Sequence, residues 1–334
     1  MNKVKILDCT LRDGGYVNDW NFGQANIKNF VNYVAKSGTD FIELGFLKEL
    51  AYNPNRTFFR SINHAIPLLS GSQNFTLMIN FGEYDISNFS ENQNKNIKLR
   101  VFFKKEERFS ALMYCRKLIE LGYDVFINPG YTNTYTKSEL QNLIEQVNEI
   151  FPYAFSVVDT IGAMVENDIL EIFGFIDKIL DSQINLSFHS HNSLNLSFSN
   201  AKVLIENCSE RNLIIDSSVM GMGRGAGNLC TEDFAEYLNK FYGKNYDISY
   251  LQTPAQEIIL PIYNRSPWGN STSYYLCAKH NCHPNYAKFL TDKKDVSEKL
   301  MEVIFSQIPE IRKTVFDKTL INSLYESIKN KTPN

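Results

Sequence analysis

Eight short β-branched or aromatic runs, each followed by a longer helical pattern, constrain the fold of this chain more than any other feature. The runs are Val4–Asp8, Phe41–Leu44, Phe75–Asn80, Leu99–Phe103, Asp124–Asn128, Phe155–Asp159, Ile184–His189 and Leu213–Ser217. Helical periodicity falls at Gln24–Lys36, Arg60–Leu69, Glu106–Leu121, Lys137–Ile150, Asn167–Leu180, Asn195–Glu206 and Thr231–Phe241. Strand–helix alternation with short connections predicts a parallel sheet, because parallel neighbours need a crossover and the crossover covers the sheet. Eight such units in roughly 250 residues match a closed (β/α)₈ TIM barrel. An open doubly wound sheet usually shows a glycine fingerprint at its first turn. Here that turn reads Arg12-Asp13-Gly14-Gly15-Tyr16, charged where a pyrophosphate would lie. Residues 1–245 therefore read as an α/β barrel.

From about Ile248 the pattern changes. Thr253-Pro254, Leu260-Pro261, Ser266-Pro267 and His283-Pro284 punctuate the chain, and helical stretches near 297–306 and 311–328 follow. Residues 246–334 read as a helical extension that covers the barrel or mediates association, and Ile258, Ile259, Leu260 and Ile262 suit either surface. With 24 Phe, 18 Tyr and 2 Trp, the chain is too apolar to stay disordered. Lys+Arg 34 against Asp+Glu 37 leaves no basic field for nucleic acid or an anionic membrane. There is no run of about eighteen apolar residues, and Asp8 interrupts the N-terminus before a signal sequence can form. The expectation is a cytoplasmic protein.

Six cysteines without a CxxC do not form a disulfide framework in a chain of this length. Cys115 and Cys208 fall in amphipathic helical stretches, where a small buried thiol is ordinary. Cys277 and Cys282 lie near His280 and His283, but their spacing matches no zinc finger or ribbon.

Active sites on a barrel gather at the C-terminal strand ends. Those ends carry Asp8 with Arg12 and Asp13, then Glu43, Asn80, Asn128, Asp159-Thr160, His189-Ser190-His191 and the loop Gly221–Asn228. His189 and His191 project to one side of a strand, which makes half of a metal site. Asp13 is the natural third ligand and the Asn228 amide oxygen a fourth. Such a set suits Mg²⁺ or Mn²⁺, with Zn²⁺, Co²⁺ or Fe²⁺ as further occupants. Arg12 is placed to stabilise an enolate, or to form an ion pair with Glu43 that orients it. Asn80, Asp159, Thr160 and Gly225 are the candidate substrate contacts. The glycines of Gly221–Gly227 alternate instead of forming GxGxxG, so the loop reads as backbone passing close to a ligand. Arg224 within it suits solvent as readily as an anion.

The motifs Asp8-Cys9-Thr10-Leu11-Arg12-Asp13-Gly14-Gly15, Glu43, Asp159-Thr160-Ile161-Gly162, His189-Ser190-His191-Asn192 and Gly225-Ala226-Gly227-Asn228 together resemble the DRE-TIM metallolyases. The resemblance covers roughly residues 1–245 and is nearest the 4-hydroxy-2-oxovalerate aldolase branch. Hydroxymethylglutaryl-CoA lyases carry a catalytic cysteine in the loop after the eighth strand, where Gly221–Gly227 has none. Isopropylmalate synthases have a longer C-terminal regulatory region. The resemblance implies a divalent metal on Asp13, His189 and His191, with Asn228 as a ligand in some members. It also implies Arg12 at the enolate and Glu43 beside it.

The implied activity is cleavage or formation of a C–C bond in a 4-hydroxy-2-oxo acid through a pyruvate enolate. A Claisen-type condensation of acyl-CoA with a 2-oxo acid and a non-catalytic metal-binding relative are the alternatives. The aldolases place a histidine base three residues after the metal aspartate, and this chain has Tyr16 there. Tyr16 is the candidate acid or base, with His280 and His283 of the tail as substitutes. A homodimer partner, or an aldehyde dehydrogenase docked on the tail as in the resembling aldolases, is what the resemblance adds.

Overall fold

The computed structural model describes residues 3–69, 71, 73–207, 211–293 and 296–329. Cys208 lies outside them. Eight parallel strands close into a barrel: Val4–Asp8, Phe41–Leu47, Asn74–Asn80, Ile97–Phe103, Val125–Pro129, Ala154–Asp159, Asn185–Ser190 and Leu213–Ser217. The first strand pairs with the last from Val4↔Leu213 to Asp8↔Ser217 and with the second at Leu7↔Phe41, which shuts the cylinder. The strands formed because both their faces are covered: all seven residues of Phe41–Leu47 are buried.

That second strand runs three residues past its expected end because a two-residue strand, Phe58–Phe59, pairs alongside it. Gly45 makes the approach possible. It sits at φ +145°, and a Cβ there would fall 1.9 Å from the Thr57 carbonyl oxygen.

The helices outside the barrel begin where the sequence carries capping residues. Lys137–Ile150 starts at Thr136, whose hydroxyl accepts from the Glu139 amide while the Glu139 carboxylate accepts from the Thr136 amide. The expected helix Arg60–Leu69 is reduced to Ile62–Ala65 and a 3₁₀ turn, since Pro67 interrupts the ladder. A short helix, Gly15–Asn18, follows the first strand and carries Tyr16.

Inside the cylinder, Phe41, Phe126, Ala154 and Ile214 from the first residues of their strands fill the N-terminal end, with Leu7 and Cys9 packed on them. Ligands can therefore reach the interior from the opposite, C-terminal rim.

The tail is more helical than its prolines suggest. Ser249–Pro254, Ala255–Ile259 and Leu260–Tyr263 run on from one another, the middle piece with π-type hydrogen bonding. That widened turn lies between Pro254 and Pro261, where a ladder missing two N–H donors is tolerated. Thr272–Lys279, Pro284–Thr291, Glu298–Ser306 and Lys318–Lys329 then pack around a separate core that includes Cys277, Tyr286, Ile304 and Phe305. The expected helix 311–328 is broken into Glu310–Lys313 and Lys318–Lys329. No described helix is long and apolar enough to cross a membrane.

Candidate metal centre

Beyond Asp8 the chain turns at once: the amides of Arg12 and Asp13 both donate to the Cys9 carbonyl, at 3.1 and 2.8 Å. This turn delivers both side chains into the barrel mouth, and its glycines are required by space. A Cβ on Gly14 would stand 2.3 Å from the Thr10 carbonyl oxygen, and one on Gly15 2.0 Å from the Trp20 ring. Trp20 in turn donates its indole N–H to the Arg12 carbonyl at 2.7 Å.

Across the mouth, the seventh strand presents His189 and His191 with ring centroids 5.2 Å apart. One ligand atom from each of Asp13, His189 and His191 lies within 4.8 Å of the others, and all three residues are buried. It is the sole such cluster found among the described residues.

Several features fit this cluster to a divalent cation. The His189 Nδ1–H faces Asp216 Oδ2 at 3.0 Å and the His191 Nδ1–H faces the Gly227 carbonyl at 3.3 Å, which leaves each Nε2 unprotonated. Burial lowers the His191 pKa to about 3, with Asp13 only partly opposing it, so the ring is neutral at pH 7. Burial pushes the Asp13 carboxyl up, but Arg12, then His191 and His189, outweigh that and hold it well below the usual carboxylate range. Asn228 donates Nδ2–H to Asp13 Oδ2 at 2.8 Å and to the Met222 carbonyl at 3.1 Å. Its Oδ1 is buried with no partner among the described residues, an orphan acceptor of the kind a cation satisfies. Gly223 has to lack a side chain here, because a Cβ would lie 2.4 Å from Asn228 Nδ2 and 2.9 Å from Asp13 Oδ2.

Below the cluster runs a line of buried charge. Arg12 donates from Nη1 to Asp13 (2.6 Å) and from Nε to Glu43 (2.7 Å). Glu43 also accepts from Arg100 (3.2 Å), Arg100 donates to Asp216 (2.5 Å), and Asp216 meets His189. Glu43, Arg100 and Asp216 are almost wholly inaccessible. The sequence reading missed Arg100 and Asp216. Each is a charge beside apolar neighbours in a barrel strand, Leu99-Arg100-Val101 and Ile215-Asp216, and that pattern is the signal for a polar barrel interior.

A cavity of about 460 Å³ opens over the cluster. Asp13, Arg12, His189, His191, Asn80 and Thr160 line it, as do His283 and Phe316 of the tail. Glu43 does not line the cavity, and its carboxylate meets Arg12 in the ion pair that the sequence offered. Asp159 accepts from the amides of Gly162, Ala163 and Met164, so it braces its own loop and does not face the cavity. Burial, opposed by those amides, still raises its pKa to about 6. Thr160 reaches the cavity while its hydroxyl accepts from the Tyr131 amide at 2.9 Å. Gly225 lines an adjoining cavity, against Tyr274.

Tyr16 lines the mouth, 41% exposed, yet crowding around its phenol raises its pKa above the ordinary value. His280 pairs with Glu302 at 3.0 Å and does not line the cavity. The Cys277 thiol donates to the carbonyls of Cys282 and His283, so the tail's cysteines and histidines form no metal cluster among the described residues.

The model of the HMGL-like family matches residues 3–252. The 4-hydroxy-2-oxovalerate aldolase of Bacillus thuringiensis (strain Al Hakam) is 24% identical over 270 residues, covering 78% of this chain and 76% of that protein. Among solved structures, the N-terminal domain of a putative aldolase from Bacteroides vulgatus superposes with a TM-score of 0.73 at 22% identity, covering 87% of this chain and 97% of that one. The HMG-CoA lyase from Brucella melitensis superposes with a TM-score of 0.62 at 17% identity, covering 76% and 97%. At these identities the structural likenesses establish the barrel fold.

Proposed function

The chain belongs to the HMGL-like family, and on that premise we propose that it is a divalent-metal-dependent aldolase acting on 4-hydroxy-2-oxo acids. The observation that carries this reading is the buried Asp13–His189–His191 cluster facing a 460 Å³ cavity with Arg12 beside it. The curated relatives named 4-hydroxy-2-oxovalerate aldolase support the substrate class. Asp13, His189, His191 and the Asn228 carbonyl oxygen would hold the ion, Mn²⁺ or Mg²⁺ by their chemistry and Zn²⁺ or Co²⁺ as alternatives. When bound, it supplies Lewis-acid polarisation of the 2-oxo group.

The chain's own groups do the rest. Arg12 has Nε and Nη1 committed to carboxylates, which fixes the guanidinium and leaves Nη2 to donate to the oxygen that gains charge as pyruvate enolate forms. Asn80 and Thr160 line the volume in which the 2-oxo acid would sit. Tyr16 keeps its proton at neutral pH, because desolvation raises its pKa. Its role is therefore to hold a hydrogen bond to the 4-oxygen without giving up its own proton, while the 4-hydroxyl proton leaves to water at the mouth in cleavage and returns from it in condensation. The tail, through His283, Thr314, Val315 and Phe316, roofs the cavity and limits water at the reacting carbons.

Exchange of pyruvate methyl protons in deuterated water with Mn²⁺ present tests the reading without needing the aldehyde. Exchange by the wild type and none by Asp13→Asn is expected. Absence of exchange in the wild type removes the proposal.

A further inference from the structure

Arg224 faces the cavity with donors that nothing among the described residues accepts. It sits in the glycine-rich loop after the eighth strand, with its guanidinium over the Tyr16 ring at 5.2 Å. Its Nε is buried and has no hydrogen-bond partner among the described residues. Its Nη1 comes within 3.5 Å of Nε2 of His283.

That approach joins two donors. His283 is the N-cap of the helix Pro284–Thr291, and its Nδ1 accepts from the Asn285 amide at 3.1 Å. A ring nitrogen that accepts from an N–H carries a lone pair, so the ring proton is on Nε2. Arg224 Nη1–H and His283 Nε2–H therefore converge with nothing between them to accept. A buried Nε–H without an acceptor is costly, and an anion reaching the guanidinium and the His283 ring would satisfy both groups.

The location says which part of a substrate would bring that oxygen. Asp13, His189 and His191 line the metal cavity alone. Arg224, Tyr16 and Phe316 line that cavity and also the adjoining one, of about 480 Å³, whose walls include Trp268, Tyr274 and Lys288. Arg224 thus stands at the junction, where a molecule anchored at the metal cluster would extend into the second space.

We propose that Arg224 and His283 form a distal anion subsite that selects 4-hydroxy-2-oxo acids whose aldehyde half bears a carboxylate or a phosphate. The proposal rests on the aldolase reading for the identity of the substrate, whereas the subsite itself rests on the two facing donors.

The test condenses pyruvate with succinic semialdehyde, with glycolaldehyde phosphate and with uncharged propanal, using the Mn²⁺-loaded full chain. One anionic aldehyde is expected to exceed propanal in kcat/KM by about 30-fold, as one charge-assisted contact allows. The first two aldehydes distinguish a carboxylate from a phosphate. Arg224→Gln should reduce that advantage to about threefold or less, and Arg224→Lys should restore part of it. A wild type that treats charged and uncharged aldehydes alike overturns the subsite, as does an advantage that survives Arg224→Gln. A rise in the KM for pyruvate matching that for the anionic aldehyde would assign the pair to the 2-oxo acid's own carboxylate and also overturn it.

Calorimetric titration of the metal-free protein with succinate and with inorganic phosphate separates this from the aldolase reading. Binding weakened about tenfold or more by Arg224→Gln supports the subsite even where pyruvate exchange fails. Exchange without Arg224-dependent anion binding leaves the aldolase reading and removes the subsite.

Discussion

The two walls of the cavity are built on opposite plans. On the barrel side, Arg12, Glu43, Arg100, Asp216 and His189 form a continuous series in which each guanidinium meets a carboxylate and Asp216 also meets the His189 ring. On the tail side, Arg224 and His283 set donor against donor. In the first wall every guanidinium has carboxylate partners before any ligand arrives, even though Glu43 Oε1, Arg100 Nε and Asp216 Oδ1 have no hydrogen bond among the described residues, and such pairing is what a group meant to stabilise developing charge requires. The second wall is completed by what binds. On the proposed reading, chemistry belongs to the barrel alone, whereas selectivity is shared between a barrel loop and the tail, whose hydrophobic cores are separate.

The contrast is easiest to break at the metal cluster. Asp13→Asn or His191→Ala should lower both turnover and Mn²⁺ affinity by more than about a hundredfold, since losing even a supporting residue around a metal costs 10–100-fold. Normal turnover in either variant would place the chemistry elsewhere.

The next largest effect concerns stability. Arg100→Met takes a buried partner from both Glu43 and Asp216, leaving them with Arg12 and His189 respectively, and should cost about 3–5 kcal/mol in urea unfolding. Arg224→Met breaks no such pair and should change unfolding by less than about 1 kcal/mol. Equal costs would erase the difference between the walls.

A smaller effect is expected at the mouth. Tyr16→Phe keeps the edge-on contact with Trp20 and removes one donor, so kcat should fall about tenfold with the pH profile unchanged. A much larger fall that tracks a titration in the neutral range would make Tyr16 a base.

The mildest test is at Asp8, beneath the catalytic turn. Burial raises its pKa to about 7 despite hydrogen bonds from Thr10 and Thr231. A carboxyl raised in the folded state stabilises the fold below its unfolded pKa, and that contribution is lost as pH rises towards the folded value. Asp8→Asn should therefore gain in melting temperature relative to the wild type between about pH 4 and pH 7. A constant difference across that window would show that Asp8 ionises freely.

Much of this was legible beforehand because it depends on local periodicity. The eight strands, most of the helices and the rim position of Asp13, His189, His191 and Asn228 follow from where apolar runs end and polar residues begin. What periodicity does not show is where a strand-end side chain turns. Glu43 and Asp159 look like site residues because they stand at strand ends. Arg100 had already drawn Glu43 inward, and three loop amides had enclosed Asp159. In the tail, the prolines were read as breaks, whereas a π-type turn carries the helix past them.

The sequence by itself determined a closed parallel barrel with Asp13, His189 and His191 on its rim, because side-chain alternation along a strand and the placement of strand ends are properties of neighbouring residues. Only the tertiary structure decided which charges face the ligand and which face each other. Arg100 and Asp216 are 116 residues apart, and Arg224 and His283 are 59 apart. Whether such groups neutralise or confront one another depends on the distance and solvent between them, and those are set by how the chain closes on itself.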